Sequence, residues 1–194
     1  MSKADSASSK KGRGKTIRWV VTIFLVTIFV SGLISFISDV VMSVSTMAVA
    51  FLILLGIVLI GILFDVIGVA VTSADEKPFH SMAARKVPGA QESIRLLRNA
   101  ERVSSICNDV VGDICGVVSG SASATIAAQI LNRFEFSWPQ AVGLIMSALV
   151  AGLTVGGKAV GKTFAIGSCT VIVQSVGKVI WWLRRWPELF KKRK

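Results

Sequence analysis

Three aspartates, Asp65, Asp109 and Asp113, stand within or at the edge of long apolar stretches. An ionised carboxylate inside hydrocarbon costs about 3 kcal/mol even on the mildest insertion scale, so each is expected to face a bundle interior, a wet cavity or a cation. Asp109 and Asp113 are four residues apart and therefore share one helix face. Two like charges one turn apart repel, so a cation lies between them, one of them carries a proton, or a lysine pairs with them. Two chemistries fit. In the first, the carboxylates and the oxygens of Ser73, Ser105 and Asn108 hold a hard divalent cation such as Mg²⁺, which keeps part of its water. In the second, Lys158 and Lys162 pair directly with the acids and the charges are structural.

The elements that must position these residues are membrane spans. Hydrophobic residues make up 53% of the 194-residue chain, and the apolar residues are gathered into blocks rather than spread as in one soluble core. The chain reads as an all-α membrane protein with four transmembrane helices, at about 19–37, 47–71, 103–131 and 141–157. At about 1.5 Å per residue the first of these is just long enough to cross a hydrocarbon core of about 30 Å. Its apolar part is too long for a signal peptide and no small-residue cleavage site closes it, so it is read as retained.

Charge orients the spans. The first is preceded by Lys10, Lys11, Arg13, Lys15 and Arg18, and the segment between the second and third carries Lys77, Arg85, Lys86, Arg95, Arg98 and Arg102. Residues 38–46 have no basic residue and 132–140 have only Arg133. By the positive-inside rule both termini and the long central segment are cytoplasmic, in a plasma or inner membrane. A fifth crossing at Thr163 to Trp182 would export the tail that carries Arg184, Arg185 and Lys191 to Lys194, so residues 163–186 are expected as an amphipathic helix along the inner surface. Residues 1–16 and 187–194 are expected as basic cytoplasmic tails, the first disordered because it is too polar to bury a core. The segment 76–102 reads as a cytoplasmic helical hairpin: Pro78 and Pro88 open its two helices, and Ile94, Leu97, Ala100 and Val103 fall at helical spacing. Residues 17–186 thus form one transmembrane domain.

The net charge of +11 is then accounted for by basic flanks that meet anionic inner-leaflet lipids, and no nucleic-acid partner is expected. Trp19, Trp138, Trp181, Trp182 and Trp186 fall near the predicted interfaces as anchors. Cys107, Cys115 and Cys169 lack metal-ligand spacing and read as buried thiols, and His80 reads as a surface residue. No nucleophile elbow, metalloprotease helix or phosphate-binding loop is present, so an enzyme is not expected and no cofactor is implied.

Close helix packing has its own signature. Gly112, Gly116 and Gly120 recur every four residues, as do Gly152 and Gly156, and then Gly157 and Gly161. Such spacing lets helix backbones approach, within the chain or between two copies. Depth brings the acids to one level: Asp109 lies about 9 Å and Asp113 about 15 Å inside the third span, and Asp65 about 14 Å from the same side of the second. A convergent carboxylate site is the expectation.

The chain also resembles a known family. A span ending in Phe64-Asp65 with a following Ser73, the stretch GAQESIRLLRNAERVSSI (Gly89 to Ile106), a glycine-rich span and the stretch GGKAVGK (Gly156 to Lys162) together resemble the transmembrane domain of the CNNM/CorC (CorB) magnesium and cobalt transporters. The resemblance covers roughly Met47 to Trp186, and its best piece is Leu-Leu-x-Asn-x-x-Arg from Leu96 to Arg102. It implies divalent-cation transport or channel activity through an intramembrane site, with Mg²⁺ as the transported ion, and a homodimer. Two motif positions depart: Asp65-Val66-Ile67-Gly68 stands for the family's Ser-x-Ser-Glu, and Lys158 stands where Gly-Glu-x-x-Pro-Lys has its acid. The other expectation is therefore a non-transporting accessory or scaffold protein with Asp–Lys pairs and a partner protein.

Overall fold

The structure is a computed structural model that describes the backbone of residues 3–134 and 138–191 and the side chains of residues 20–41, 45–134 and 138–185. The expected anchors Trp19 and Trp186 and the basic side chains of both tails lie outside the described side chains. Every regular element among the described residues is helical: α1 (Lys3–Val44), α2 (Met47–Ser73), α3 (Lys77–Ala84), α4 (Ala90–Arg98), α5 (Ala100–Ser105), a π-helical segment (Ile106–Gly112), α6 (Asp113–Arg133), α7 (Pro139–Gly167) and α8 (Cys169–Lys191). Among the described residues four stretches are long and apolar enough to cross a membrane: Val20–Val41, Met47–Ser73, Ala100–Arg133 and Pro139–Gly167.

The helix α1 takes in residues 3–16, which were expected as a disordered tail. Once the apolar part has nucleated a helix, each further residue adds one bond, and no proline interrupts the run.

Helices α2, α6 and α7 pack on one another and α1 leans chiefly on α6. Their shared core is built from Ala50, Leu54 and Val58 of α2, Ala122, Ile126 and Ala127 of α6, and Met146 and Val150 of α7. Small residues on α6 let large ones on α2 and α7 interlock at a close helix distance.

The fourth span is longer than the expected 141–157. It runs 29 residues to Gly167, so residues 163–167 belong to it and the last helix starts at Cys169 instead of 163. Glycines in a helix cost about 1 kcal/mol each and would be expected to break it. Here packing compensates. A Cβ on Gly157 would come within 2.3 Å of Ile62, and one on Gly161 within 2.7 Å of Val66, so both glycines are where α2 crosses α7.

A second apolar cluster joins the ends of α2 and α7 to the short helices and α8: Val66, Ala70, Val71, Phe79, Leu97, Ala165 and Val173. Pro78 sits in the first turn of α3, where its missing N–H is no loss. The second short helix opens at Ala90, with Gly89 at its N-cap rather than Pro88 in its first turn. Gly89 has φ +85°, and an added Cβ would lie 2.5 Å from the Lys178 backbone nitrogen. Both the left-handed conformation and the contact with α8 require glycine.

Candidate intramembrane charge site

Asp65 is on α2, one turn after Gly61, where α6 comes close at Cys115, and about one turn before Gly68, where the π-helical segment comes close at Asn108; its neighbour across the bundle is Lys158 of α7. Lys158 Nζ lies 3.7 Å from Asp65 Oδ1, with side chains 28% and 17% exposed. The lysine reaches this place because Gly157 and Gly161 hold α7 close to α2, and Gly112 leaves room on the other side: a Cβ there would be 3.4 Å from Lys158 Nζ. A carboxylate and an ammonium so enclosed each offset part of the other's cost of leaving water, and removing one leaves the other charge uncompensated.

The remaining candidates are spread around this pair. Asn108 lies in the π-helical segment, and its Nδ2 donates to Ser104 Oγ at 3.2 Å. Its Oδ1 is buried without a hydrogen-bond partner and faces Gly68, where a Cβ would be only 2.1 Å from that oxygen. Ser105 Oγ donates to Asp109 Oδ2 at 2.8 Å, and Asp109 is exposed. Asp113 and Lys162 are exposed too, with no hydrogen bond or ion pair to another described residue. Ser73 is at the exposed end of α2, about 12 Å along the helix from Asp65.

The three carboxylates thus share a level without converging. Among the described residues no three acidic, histidine or cysteine side chains gather as a metal-holding group. Asp65 turns toward α7, whereas Asp109 and Asp113 turn outward. The glycines divide in the same way. Gly112 is buried against Lys158, but a Cβ on Gly116, Gly120, Gly152 or Gly156 would meet nothing within 4 Å. At about 100° per residue a four-residue repeat drifts about 40° at each step, so a stripe that starts inside at Gly112 is outside by Gly120.

Two polar features were not read from the sequence. Ser121 Oγ donates to Asp39 Oδ1 at 3.1 Å and ties α1 to α6. Asp39 follows the first apolar run, and that position was its signal. The second feature is the junction of α4 and α8. Buried Ser93 donates to the carbonyls of Gly89 at 3.0 Å and Val173 at 3.2 Å, and Gln174 Nε2 donates to Pro88 O at 3.0 Å. A Cβ on Gly177 would be 2.2 Å from Ser93 Oγ. A lone glutamine in the apolar stretch from Val171 to Val176 was the available sign.

On the surface, His80 and Arg98 both reach Glu76, at 3.2 and 3.8 Å. Arg185 lies over the Trp181 ring at 5.1 Å, while Val171, Val179, Trp182 and Leu183 leave an apolar stripe of α8 uncovered.

No family model, curated protein or solved structure matches the chain. The likeness to the magnesium transporters rests on the quoted segments alone, and the chemistry has to be argued from the site.

Proposed function

We propose that this chain is a non-transporting scaffold of a plasma or inner membrane, with its internal carboxylate neutralised by a lysine of the same chain. The observation that carries this reading is the 3.7 Å approach of Lys158 Nζ to Asp65 Oδ1. A tethered ammonium occupies the coordination position that a transported cation would need. A divalent ion entering beside it would meet repulsion of several kcal/mol at low dielectric.

The orientation follows from charge. Both termini, the hairpin formed by α3 and α4, and α8 are cytoplasmic, and α8 lies along the inner surface with Val171, Val179 and Trp182 in the bilayer. Lys178, Arg184 and Arg185 meet anionic headgroups. The α4–α8 junction fixes this surface helix to the spans and gives the scaffold a rigid inner face.

Divalent-cation transport is the second reading, and one observation favours it. Among the described residues the buried Asn108 Oδ1 has no hydrogen-bond partner, Asp113 has neither a hydrogen bond nor an ion pair, and Asp109 is met by the Ser105 hydroxyl without a cationic partner. Under that reading an ion passes Asp65, Asp109, Asp113, Asn108 and Ser73. The test is Mg²⁺ uptake into liposomes carrying the purified chain, together with thermal unfolding with and without Mg²⁺. The scaffold reading predicts no uptake above empty liposomes and no Mg²⁺-dependent stabilisation. Uptake that disappears when Asp109 and Asp113 are both replaced by Asn would overturn it.

A further inference from the structure

Helices α2 and α7 are pressed together in one half of the bilayer and open to it in the other. Gly157 meets Ile62 and Gly161 meets Val66, so the two helices run parallel in a constant register, with their tight contacts past the middle of α2. Toward their first turns they touch only on the core side, through the cluster shared with α6. A Cβ on Gly56 or Gly152 would meet nothing within 4 Å there. On the lipid side a groove of about 590 Å³ opens, lined by Phe51, Leu52, Leu55, Leu149, Leu153 and other apolar residues of these two helices. The first helix, α1, leans on α6 and contributes nothing to its walls.

The dimensions of the groove select its occupant. From Ala48 to Val58 it follows α2 for about 15 Å, half of a hydrocarbon core of about 30 Å. It begins at the outer end of the helix and stops short of its middle, so it spans one leaflet. A transmembrane helix about 10 Å across displaces about 1,200 Å³ over that length, roughly twice what the groove holds. The lining has no hydroxyl, amide or charged side chain, so water finds no partner in it. Left empty, its walls would forfeit their dispersion contacts. An extended hydrocarbon chain fits in length, volume and polarity.

The mouth of the groove adds a charge preference. Carried back along both helices, the register sets Met47 level with Val142, so α2 and α7 begin within about one turn of each other in depth. Neither first turn contains an acidic residue, and neither cap residue, Thr46 or Trp138, meets the free backbone N–H groups with its side chain. Two parallel helices thus present their positive ends together above the groove, a field that favours a phosphate. That charge matters because a lipid tail is as apolar as the groove, so a chain moving in from the bilayer gains packing but no hydrophobic free energy.

We infer that the α2–α7 groove binds a phospholipid of the outer leaflet, with one acyl chain extended between the two helices and the phosphate at their first turns. Other apolar surface, such as Phe24, Leu25 and Phe29 of α1, belongs to a single helix and exchanges its lipid freely. The inference goes beyond the scaffold reading and rests on it only for which leaflet is the outer one.

The test uses the full-length chain in nanodiscs that contain a phospholipid with a photoreactive diazirine midway along one acyl chain. After irradiation, adducts on Leu52, Leu55, Leu149 and Leu153 are expected at about ten times the level on Phe24, Leu25 and Phe29. Unlabelled phospholipid is expected to suppress the groove adducts at least about tenfold more effectively than a diacylglycerol with the same chains. Equal labelling of the two surfaces overturns the site, as do groove adducts that join a protein instead of lipid. Equal suppression by the diacylglycerol overturns the place given to the phosphate. Ala48 is exposed and lines the groove, so Ala48→Trp fills the mouth without entering the core. Groove labelling is expected to fall about tenfold in this variant while helical content and the labelling of α1 stay as in the wild type. Undiminished groove labelling contradicts the inference. Its failure is separable from that of the scaffold reading: Mg²⁺ uptake by a chain that labels as expected overturns only the scaffold, and uniform labelling without uptake overturns only the lipid site.

Discussion

The chain has two polar regions of opposite character. At the α4–α8 junction the Ser93 hydroxyl and the Gln174 amide NH₂ donate to backbone carbonyls, and Gly89 and Gly177 bring the two backbones together. In the span region Asp65 and Lys158 form the one ion pair among the described residues, while Asn108 Oδ1, Asp113 and Lys162 meet no hydrogen-bond or ion-pair partner there. A buried polar network whose members are satisfied specifies a fold. Polar groups left open on a membrane-facing helix indicate a contact that the single chain does not supply. The difference separates what this chain needs in order to fold from what it holds ready for a neighbour.

That division can be broken in order of expected effect, by thermal unfolding of the full chain in nanodiscs. For a chain of this size about 1 kcal/mol corresponds to roughly 2–4 °C in Tm. Lys158→Met leaves the Asp65 carboxylate unpaired in the bundle and is expected to destabilise by about 3–5 kcal/mol. Adding Asp65→Leu to it is expected to return most of that loss. Gly177→Ala drives a methyl into Ser93 Oγ and the Gly89 carbonyl, with an expected loss of about 2–3 kcal/mol. A smaller effect on this variant than on Gly156→Ala would refute the close contact of α4 and α8.

Gln174→Leu removes the donor to the Pro88 carbonyl and is expected to cost about 1–2 kcal/mol, with faster hydrogen exchange confined to α8 and α4. Asp113→Asn should be nearly silent in monomeric preparations, within about 0.5 kcal/mol. A large loss there would mean that Asp113 has a partner inside the chain and that the two regions are not of different character.

Much of the architecture was legible because apolar length and flanking charge are local properties of a sequence. The four spans and the helix opened by Pro78 follow from such properties alone. The site was less legible, for a geometric reason. Counting residues from the end of a span gives depth but not direction around the helix axis, so Asp65, Asp109 and Asp113 could be placed at one level and not on one side. The glycines show the same limit. Gly157 and Gly161 pack on α2 while Gly152 and Gly156 face outward, although both pairs have the same spacing. The end expected at 157 for the fourth span failed for a related reason: the packing of α2 against Gly157 and Gly161 offsets the local cost of glycine, and the helix runs on to Gly167. The α4–α8 junction joins residues 80 and 86 positions apart through two glycine backbones, and no periodicity in either segment announces it.

The central claim is that the Asp65 carboxylate is committed to Lys158. A double-mutant cycle tests it most directly, comparing the unfolding free energies of the wild-type chain, Asp65→Leu, Lys158→Met and the double variant in nanodiscs. The predicted result is a coupling of about 2–3 kcal/mol between the two positions, with the double variant more stable than Lys158→Met alone. Additive losses, with no coupling beyond about 0.5 kcal/mol, would contradict the pairing and leave Asp65 available to a cation.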